Sequence, residues 1–269
     1  MTRLPYPRIR FQYRIATLLL LTAVVAGVLG VWRVSTRSER AVRALRELGA
    51  KVEWVDRELS ISGNGPMLPP EEQYYSVNIN VGAKSKYGSS LALLRDVSRL
   101  EELEMWTDVD PDELAVLQHL DDLVELWVDF SPKFDDRCMG YIQHLPRLRL
   151  LSIVDTAVTD RGLEKLNPRL EWLLMERTNT SDAGMKHVRR LRRLKWLSVD
   201  SPRITDAGIL DLATLPALVY IRTGGFSVEC YEAFKRTRAD YGLRQLPEMD
   251  EELSPIEQTK EIGKLMYGQ

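Results

Sequence analysis

Aromatic side chains recur along this 269-residue chain at intervals that repeat. Four of the six tryptophans and one tyrosine take part: Trp106, Trp127, Trp172, Trp196 and Tyr220. Tryptophan and tyrosine are favoured anchors of interfaces, because each buries a large apolar area and keeps a polar tip. The chemistry that these residue types favour is recognition of a ligand by contact, without a reaction.

Charged residues stand at matching places beside the aromatic ones. They are Glu102, Glu125, Asp129, Glu176, Asp200 and Arg222. Together with the aromatic residues they form a candidate ligand-binding surface with an aromatic floor and acidic flanks. Such a surface suits a protein or peptide partner, and an envelope polysaccharide is also compatible with it.

Residues for catalysis are not assembled by any recognisable motif. Gly-x-Ser-x-Gly, a phosphate loop and His-Glu-x-x-His are all absent from the sequence. The three histidines are best interpreted as surface residues, and Glu102 and Glu125 carry little weight as an acid–base pair, because an acidic chain offers many such pairs. Without a Cys-x-x-Cys no metal site is predicted, and we expect neither enzyme activity nor a cofactor.

One phrase, repeated three times, shows which elements position these residues. It reads Thr159 to Leu163, Ser181 to Met185 and Thr205 to Ile209, and a Leu-x-x-Leu-x-Leu-like run precedes each copy. The same frame starts at positions 74, 100, 123, 148, 170, 194 and 218, in steps of 22 to 26 residues. Self-similarity at such a period is typical of a solenoid. The copies at 100 and 123 depart from the phrase, and we expect them to be distorted.

The phrase resembles the bacterial repeats Leu-x-x-Leu-x-Leu-x-x-Thr-x-Ile-Thr-Asp-x-Gly-Leu, which are relatives of the cysteine-containing leucine-rich-repeat subfamily. The resemblance covers about residues 74–227 and implies an α/β leucine-rich-repeat solenoid, with parallel strands on the concave side and short helices on the convex side. Each Asp is a plausible helix N-cap, and each Gly is expected to allow a tight turn from strand to helix. Both residue types are interpreted as scaffolding.

The Leu-x-Leu pattern of each strand sends its two apolar residues inward, so the residues on either side face outward. All eleven candidate residues occupy such outward positions. Trp172, Trp196 and Tyr220 share one column in successive repeats and are predicted to stack as a ladder. The ladder could bind a ligand, could stabilise the sheet itself, or could be covered by the chain's own tail, residues 247–269.

The amino-terminal segment predicts a membrane anchor. Residues 15–32 carry no charge, and a helix of that length rises about 27 Å, close to the hydrocarbon thickness of a bilayer. Arginines flank both sides, so topology is only weakly specified. We favour a single-pass signal-anchor with residues 1–14 in the cytoplasm and the repeats outside. A cleaved signal peptide is the alternative.

Charge separates the two parts of the chain. Of its 37 basic and 39 acidic residues, nine and one lie in 1–46, which leaves a net charge of about −10 for the rest. The basic part suits anionic headgroups, while the acidic part argues against nucleic acid as a partner. Residues 33–73 are predicted to form a juxtamembrane helix and amino-terminal cap, and residues 228–269 a carboxy-terminal cap and tail. Cys138 and Cys230 lie too many repeats apart to pair.

The function that follows is a non-enzymatic, membrane-anchored interaction module that binds a protein, peptide or envelope ligand on its concave face. The first alternative is a structural solenoid whose concave face is covered by its own chain. The second is a cytoplasmic adaptor resembling F-box leucine-rich-repeat proteins, which would require the opposite topology and an F-box that the sequence lacks.

Overall fold

The computed structural model describes residues 36–55, 74–80, 88–106, 110–225 and 227–243. Eight strands form one sheet in which the spatial order equals the chain order. Strand β1 (Lys51–Val55) runs antiparallel to β2, and β2 to β8 are all parallel. Parallel strands stacked in chain order with helical connections are the architecture of an α/β leucine-rich-repeat solenoid.

The seven parallel strands occupy the seven predicted copies of the repeat frame. They are β2 (Tyr74–Asn80), β3 (Leu100–Trp106), β4 (Glu125–Val128), β5 (Leu150–Ser152), β6 (Trp172–Leu174), β7 (Trp196–Val199) and β8 (Tyr220–Thr223). The strands shorten to three or four residues from β4 onward.

Short helices connect the strands. The α-helices are α1 (36–47), α2 (Asp136–Ile142), α3 (Asp160–Leu163), α4 (Asp182–Val188), α5 (Asp206–Leu210) and α6 (Val228–Asp240). Three further segments are 3-10 helices: Gly88–Asp96, Glu113–His119 and Asp211–Thr214. After α1 the chain reverses at Gly49, whose φ of 98° is readily adopted only by glycine.

The core lies between the sheet and the helices. Its central column joins one apolar residue from each of the last six strands, and all of them are at most 6% exposed: Leu103, Leu126, Leu151, Leu173, Leu197 and Ile221. Each side chain therefore packs on its equivalent in the next repeat. At about 25 cal/mol per Å² of apolar surface, this continuous burial is the main stabilising term of the fold.

The sequence suggests that the aspartates of the repeated phrase are helix N-caps, and this interpretation is wrong. The caps are the residues before them: Thr159, Ser181 and Thr205 each accept a hydrogen bond from the backbone two residues on. Each Asp begins its helix and reaches across to the next repeat. Asp160, for example, accepts hydrogen bonds from the backbone N–H and the hydroxyl of Ser181, at 2.7 and 2.6 Å.

This bond recurs along the convex side of the solenoid. The four bonded pairs are Asp136 with Thr159, Asp160 with Ser181, Asp182 with Thr205, and Asp206 with Ser227. Each carboxylate thus accepts hydrogen bonds from the N–H and the hydroxyl of the N-cap residue in the next repeat. That N-cap residue in turn accepts a hydrogen bond from its own helix. The phrase is a clamp between neighbouring repeats.

The glycines of the phrase also have a role other than the one predicted. They lie inside helices and make no turn. A Cβ at Gly184 would stand 2.5 Å from Oδ1 of Asp160 and 2.8 Å from Cδ1 of Leu163, closer than atoms pack. Gly208 faces Asp182 in the same way. Glycine is therefore required because the clamping carboxylate of the preceding repeat occupies the space of a side chain.

The copy at 123 is not distorted, although it was expected to be. Its helix α2 is regular, and Asp135 caps it by accepting from the N–H of Arg137 at 2.9 Å. Cys138 stands where other copies have Gly, and Cys230 holds the same place at the last copy. Both cysteines are buried, and both are free thiols. The copy at 100 does differ, because its connection is a 3-10 helix.

Helix α6 closes the carboxy-terminal end of the solenoid. Phe234 is 2% exposed against the core, whereas Tyr231 is only half-buried. Arg238 is fully buried, and its guanidinium donates to the carbonyls of Ala213, Leu215 and Leu218 at 3.3, 3.1 and 2.8 Å. The guanidinium therefore satisfies backbone carbonyls that would otherwise be buried without partners.

The predicted membrane anchor, residues 15–32, lies outside the described residues, as does the tail 247–269. Among the residues that the structure does describe, none belongs to a helix that is both long and apolar enough to cross a bilayer.

Candidate functional site

Strand register sorts the outward residues of the sheet into columns. The concave face is the face of the sheet that is turned away from the helices. Its first column contains Glu102, Glu125, Leu150, Trp172, Trp196 and Tyr220. Its second column contains Glu104, Trp127, Ser152, Leu174, Ser198 and Arg222. The pairing is the one that the repeat frame predicted.

The aromatic ladder is present. The rings of Trp172 and Trp196 stack with centroids 4.8 Å apart and planes inclined by 14°. Tyr220 follows, with its centroid 4.1 Å from that of Trp196 and a tilt of 32°. Parallel strands lie about 4.8 Å apart, so the strand spacing itself places the rings at stacking distance.

The ladder is not the open floor that the sequence suggested. Trp172, Trp196 and Tyr220 are only 4%, 8% and 4% exposed, and with Leu150 they form a second apolar cluster on the concave face. Burial raises the pKa of the Tyr220 hydroxyl. Inside a column, each ring covers the next, so a stacked row hides area that an isolated tryptophan would expose. The main contacts of these rings are therefore with one another, within the sheet.

Polar side chains next to the ladder form a network of hydrogen bonds and an ion pair. The Glu176 carboxylate accepts from the hydroxyl of Ser198 at 2.5 Å and forms an ion pair with Arg222. Nε of Arg222 also donates to the Ser198 hydroxyl at 2.9 Å. Glu176 and Arg222, both predicted as binding residues, are thus held together across three repeats.

Asp129 also serves the scaffold. Its Oδ1 accepts from the hydroxyl of Ser152 at 2.6 Å and from the backbone N–H of Val154 at 3.0 Å, both in the next repeat. Burial raises the pKa of Asp129, while these two hydrogen bonds oppose the rise. Asp129 therefore joins two repeats on the concave side, much as the aspartates of the phrase do on the convex side.

The acidic end of the concave face is different. Glu102 and Glu125 stand opposite each other in register on β3 and β4. Glu125 is 9% exposed, and its pKa is raised to about 8, chiefly by burial and then by the charge of Glu102, against a hydrogen bond from the Trp127 side chain. Trp127 is half-buried at the margin of the aromatic cluster. Two carboxylates and one accessible indole thus meet at this end.

The remaining predicted residues lie apart. Trp106 is the last residue of β3, and its side chain lies outside what the structure describes. Asp200 is exposed beyond the end of β7, beside Gly224, where a Cβ would collide with its carboxylate. The surface therefore divides into a filled aromatic half and an acidic half.

One cluster of charged residues was not predicted from the sequence. Arg147, Arg169 and Arg193 each stand three residues before a strand, in three successive repeats. Their recurrence at the repeat period was the signal that could have revealed them. As for metals, no group of three candidate ligands is found within the described part of the chain.

Comparisons with known proteins identify no family. No family model matches the chain, and no curated protein matches it. Among solved structures, internalin C2 from Listeria monocytogenes is 21% identical over 51% of this chain and 59% of that chain, with a TM-score of 0.37. The actin-binding site 2 of leiomodin-1 is 12% identical over 70% of this chain and 100% of that chain, also with a TM-score of 0.37. The chain thus spans 59% of the length of internalin C2.

Proposed function

We propose that this chain is a non-enzymatic protein-interaction module, and that a basic segment of a partner protein or peptide binds the acidic end of its concave face. The contact residues in this proposal are Glu102, Glu125 and Trp127. The aromatic rings of β6 to β8 stabilise the sheet that carries these contact residues, and they are not themselves the contact surface.

The observation that carries the proposal is the pair of carboxylates in register. Burial disfavours the ionised form of Glu125, and the charge of Glu102 directly opposite adds to this cost; together they raise the pKa of Glu125 to about 8. Perturbed carboxyl groups cluster at functional sites. A lysine or arginine from a partner would offset the repulsion and favour the ionised form of Glu125, so part of the binding free energy comes from relief of this cost.

Trp127 adds the apolar part of the contact. It follows Glu125 by two residues on β4, and its ring is half-buried where Trp172 and Trp196 are buried. An accessible indole beside carboxylates suits a basic side chain, whose aliphatic stem packs on the ring while its charge meets the acids. The partner segment is therefore expected to carry arginine or lysine next to an apolar residue.

A structural solenoid is the second candidate, and the burial of the ladder favours it. Trp172, Trp196 and Tyr220 stack within the sheet, and Glu176 and Arg222 are joined to each other. With Asp129, which joins two repeats, six of the eleven predicted contact residues thus have a role in the scaffold. If the chain is a purely structural solenoid, its acidic end should bind no peptide. A search for bound peptides therefore distinguishes the two candidate functions.

Membrane attachment is part of the proposal. The uncharged run of residues 15–32 supports a single-pass anchor. Because a long domain can be translocated despite local charge, the repeats are proposed to lie outside the cytoplasm. An acidic module near an anionic membrane surface would be held off that surface, which leaves the acidic end accessible to partners.

The experiment uses the purified full chain as bait for a phage-displayed library of random peptides. The wild-type chain should enrich peptides with arginine or lysine beside an apolar residue. Synthetic copies of the enriched peptides are then titrated against Glu102→Gln, which removes one charge at constant shape. Loss of a charge-assisted contact should weaken Kd by about tenfold.

The matched control is Glu164→Gln, which removes one exposed carboxylate from the helical side of the solenoid. Its Kd should equal that of the wild type. If the wild-type chain enriches no peptide, or if both variants weaken binding equally, the acidic end is not a recognition site and the structural candidate stands.

A further inference from the structure

A small basic pocket lies at the edge of the sheet where strands β5 to β7 begin. Its volume is about 170 Å³, and its walls are Val124, Pro146, Arg147, Arg149, Arg169, Glu171 and Arg193. Four of these seven residues are arginines, on a part of the chain with a net charge of about −10. A local excess of cations in an acidic domain needs a physical reason.

Backbone hydrogen bonds hold the floor of the pocket. The N–H of Glu171 donates to the carbonyl of Arg149 at 2.8 Å, and the N–H of Lys195 donates to that of Glu171 at 2.8 Å. These three side chains therefore form one column, one residue before the strands. The Glu171 carboxylate, whose side chain is 12% exposed, pairs with Arg149 at 3.2 Å and with Lys195 at 2.7 Å. It thereby fixes the Arg149 side chain in the pocket wall.

Arg147, which also lines the pocket, is likewise held by carboxylates. Its guanidinium pairs with the buried Glu101 at 3.4 Å and with Asp122 at 3.2 Å. By contrast, the guanidiniums of Arg169 and Arg193 make no hydrogen bond or ion pair with any other described residue, although both line the pocket. Two arginines of the pocket are thus positioned by carboxylates, and two more have donors available to a ligand.

We propose that this pocket binds a small oxyanion that carries at least two negative charges, of the phosphate-ester or pyrophosphate class. Arginine presents planar pairs of donors that match phosphate oxygens, and several guanidiniums can share one phosphate group. A pocket of about 170 Å³ is below the size of a drug-like site. A single carboxylate could not accept from all four guanidiniums, which is why a tetrahedral, multiply charged group fits better.

The test is isothermal titration of the full chain with inorganic pyrophosphate at constant ionic strength, against sodium acetate as a second probe. Pyrophosphate should bind saturably and acetate should not. In the double variant Arg169→Gln with Arg193→Gln, the Kd for pyrophosphate should rise by about tenfold to a hundredfold, because two charge-assisted contacts are lost. Both residues are exposed, so the fold should be retained, which circular dichroism verifies.

The control double variant is Arg161→Gln with Arg236→Gln, which changes the net charge equally at two exposed sites away from the pocket. Its Kd should equal that of the wild type. Glu102→Gln should also leave pyrophosphate binding unchanged, so this proposal and the proposed peptide site can fail separately. Absence of saturable binding, equal loss in both double variants, or equal affinity for acetate would overturn the proposal.

Discussion

The clamp between repeats predicts that Asp182 and Gly208 are energetically coupled. The Asp182 carboxylate accepts from the N–H and the hydroxyl of Thr205, at 2.8 and 2.7 Å. A Cβ at position 208 would stand 2.9 Å from Cγ of Asp182 and still closer to Oδ1. The perturbation is a double-mutant cycle of Asp182→Ala and Gly208→Ala, singly and together.

Each single substitution should destabilise the fold. Asp182→Ala removes two hydrogen bonds at a solvent-accessible site, so its cost is expected at about 1–2 kcal/mol. Gly208→Ala gains roughly 1 kcal/mol in helix propensity, but it forces a methyl against the carboxylate, at a cost of about 1–3 kcal/mol. The displaced carboxylate also loses its bonds to Thr205. The expected net cost of Gly208→Ala is about 1–4 kcal/mol.

Together the two changes should cost much less than their sum. Asp182→Ala removes Oδ1 and Cγ, the two atoms nearest to the methyl at 208; the next nearest is the Cα of residue 182, at 3.2 Å, which a small shift relieves. The methyl then fills space that the carboxylate has left, and the propensity gain remains. The expected coupling is about 2–5 kcal/mol in favour of the double variant.

Equilibrium urea denaturation followed by circular dichroism measures each free energy of unfolding. Gly140→Ala is the matched control, because this helical glycine has no atom nearer to its added Cβ than Nζ of Lys165 at 3.5 Å. It should stabilise the chain slightly and add to the cost of Asp182→Ala. If Gly208→Ala costs as much in the Asp182→Ala background as in the wild-type chain, the carboxylate is not why glycine stands there.

Two further predictions concern buried charge. The folded-state pKa of Glu125, about 8, lies above its ordinary value of 4.5, so the contribution of this carboxyl group to stability is fully present below pH 4.5 and is lost as pH rises through 8. Glu125→Gln should therefore raise Tm at pH 8 to 9, by an amount corresponding to at most about 5 kcal/mol in the free energy of unfolding. An unchanged Tm there would contradict the assigned burial. Arg238→Met should lower the free energy of unfolding by about 3–5 kcal/mol, because three buried carbonyls lose their donor, and a urea midpoint equal to that of the wild type would rule this out.

The fold was predictable because its information is local and periodic. A Leu-x-Leu run needs only neighbouring residues to be recognised, and its return after 22 to 26 residues states that the units stack. Strand register follows from the same frame, which is why Trp172, Trp196 and Tyr220 could be assigned to one column. Stacking then follows from the distance between strands.

The clamp was not predictable in the same way. An aspartate before a helix has a local interpretation as an N-cap, and the hydroxyl residue before it competes for that place. The partner of Asp160 is Ser181, 21 residues on. Nothing in one repeat shows which of the two residues caps and which reaches across, because that choice depends on the rise between repeats.

The burial of side chains on the concave face also could not be predicted from the sequence. Outward residues of a strand are identified by alternation, but their exposure depends on what the neighbouring columns contain. Glu176 and Arg222 are 46 residues apart, and Ser198 between them completes the network. Only the stacked geometry turns these separate positions into one internal cluster.

Columns of identical residues have opposite consequences for apolar and for charged side chains. Where like meets like among aromatic rings, as at Trp172 and Trp196, stacking stabilises the sheet. Where like meets like among carboxylates, as at Glu102 and Glu125, the same spacing brings equal charges together and costs free energy. The pairing of β3 with β4 fixes that spacing, so the carboxylates cannot move apart. A pair of carboxylates that the sheet holds side by side is where a cationic partner has the most to contribute.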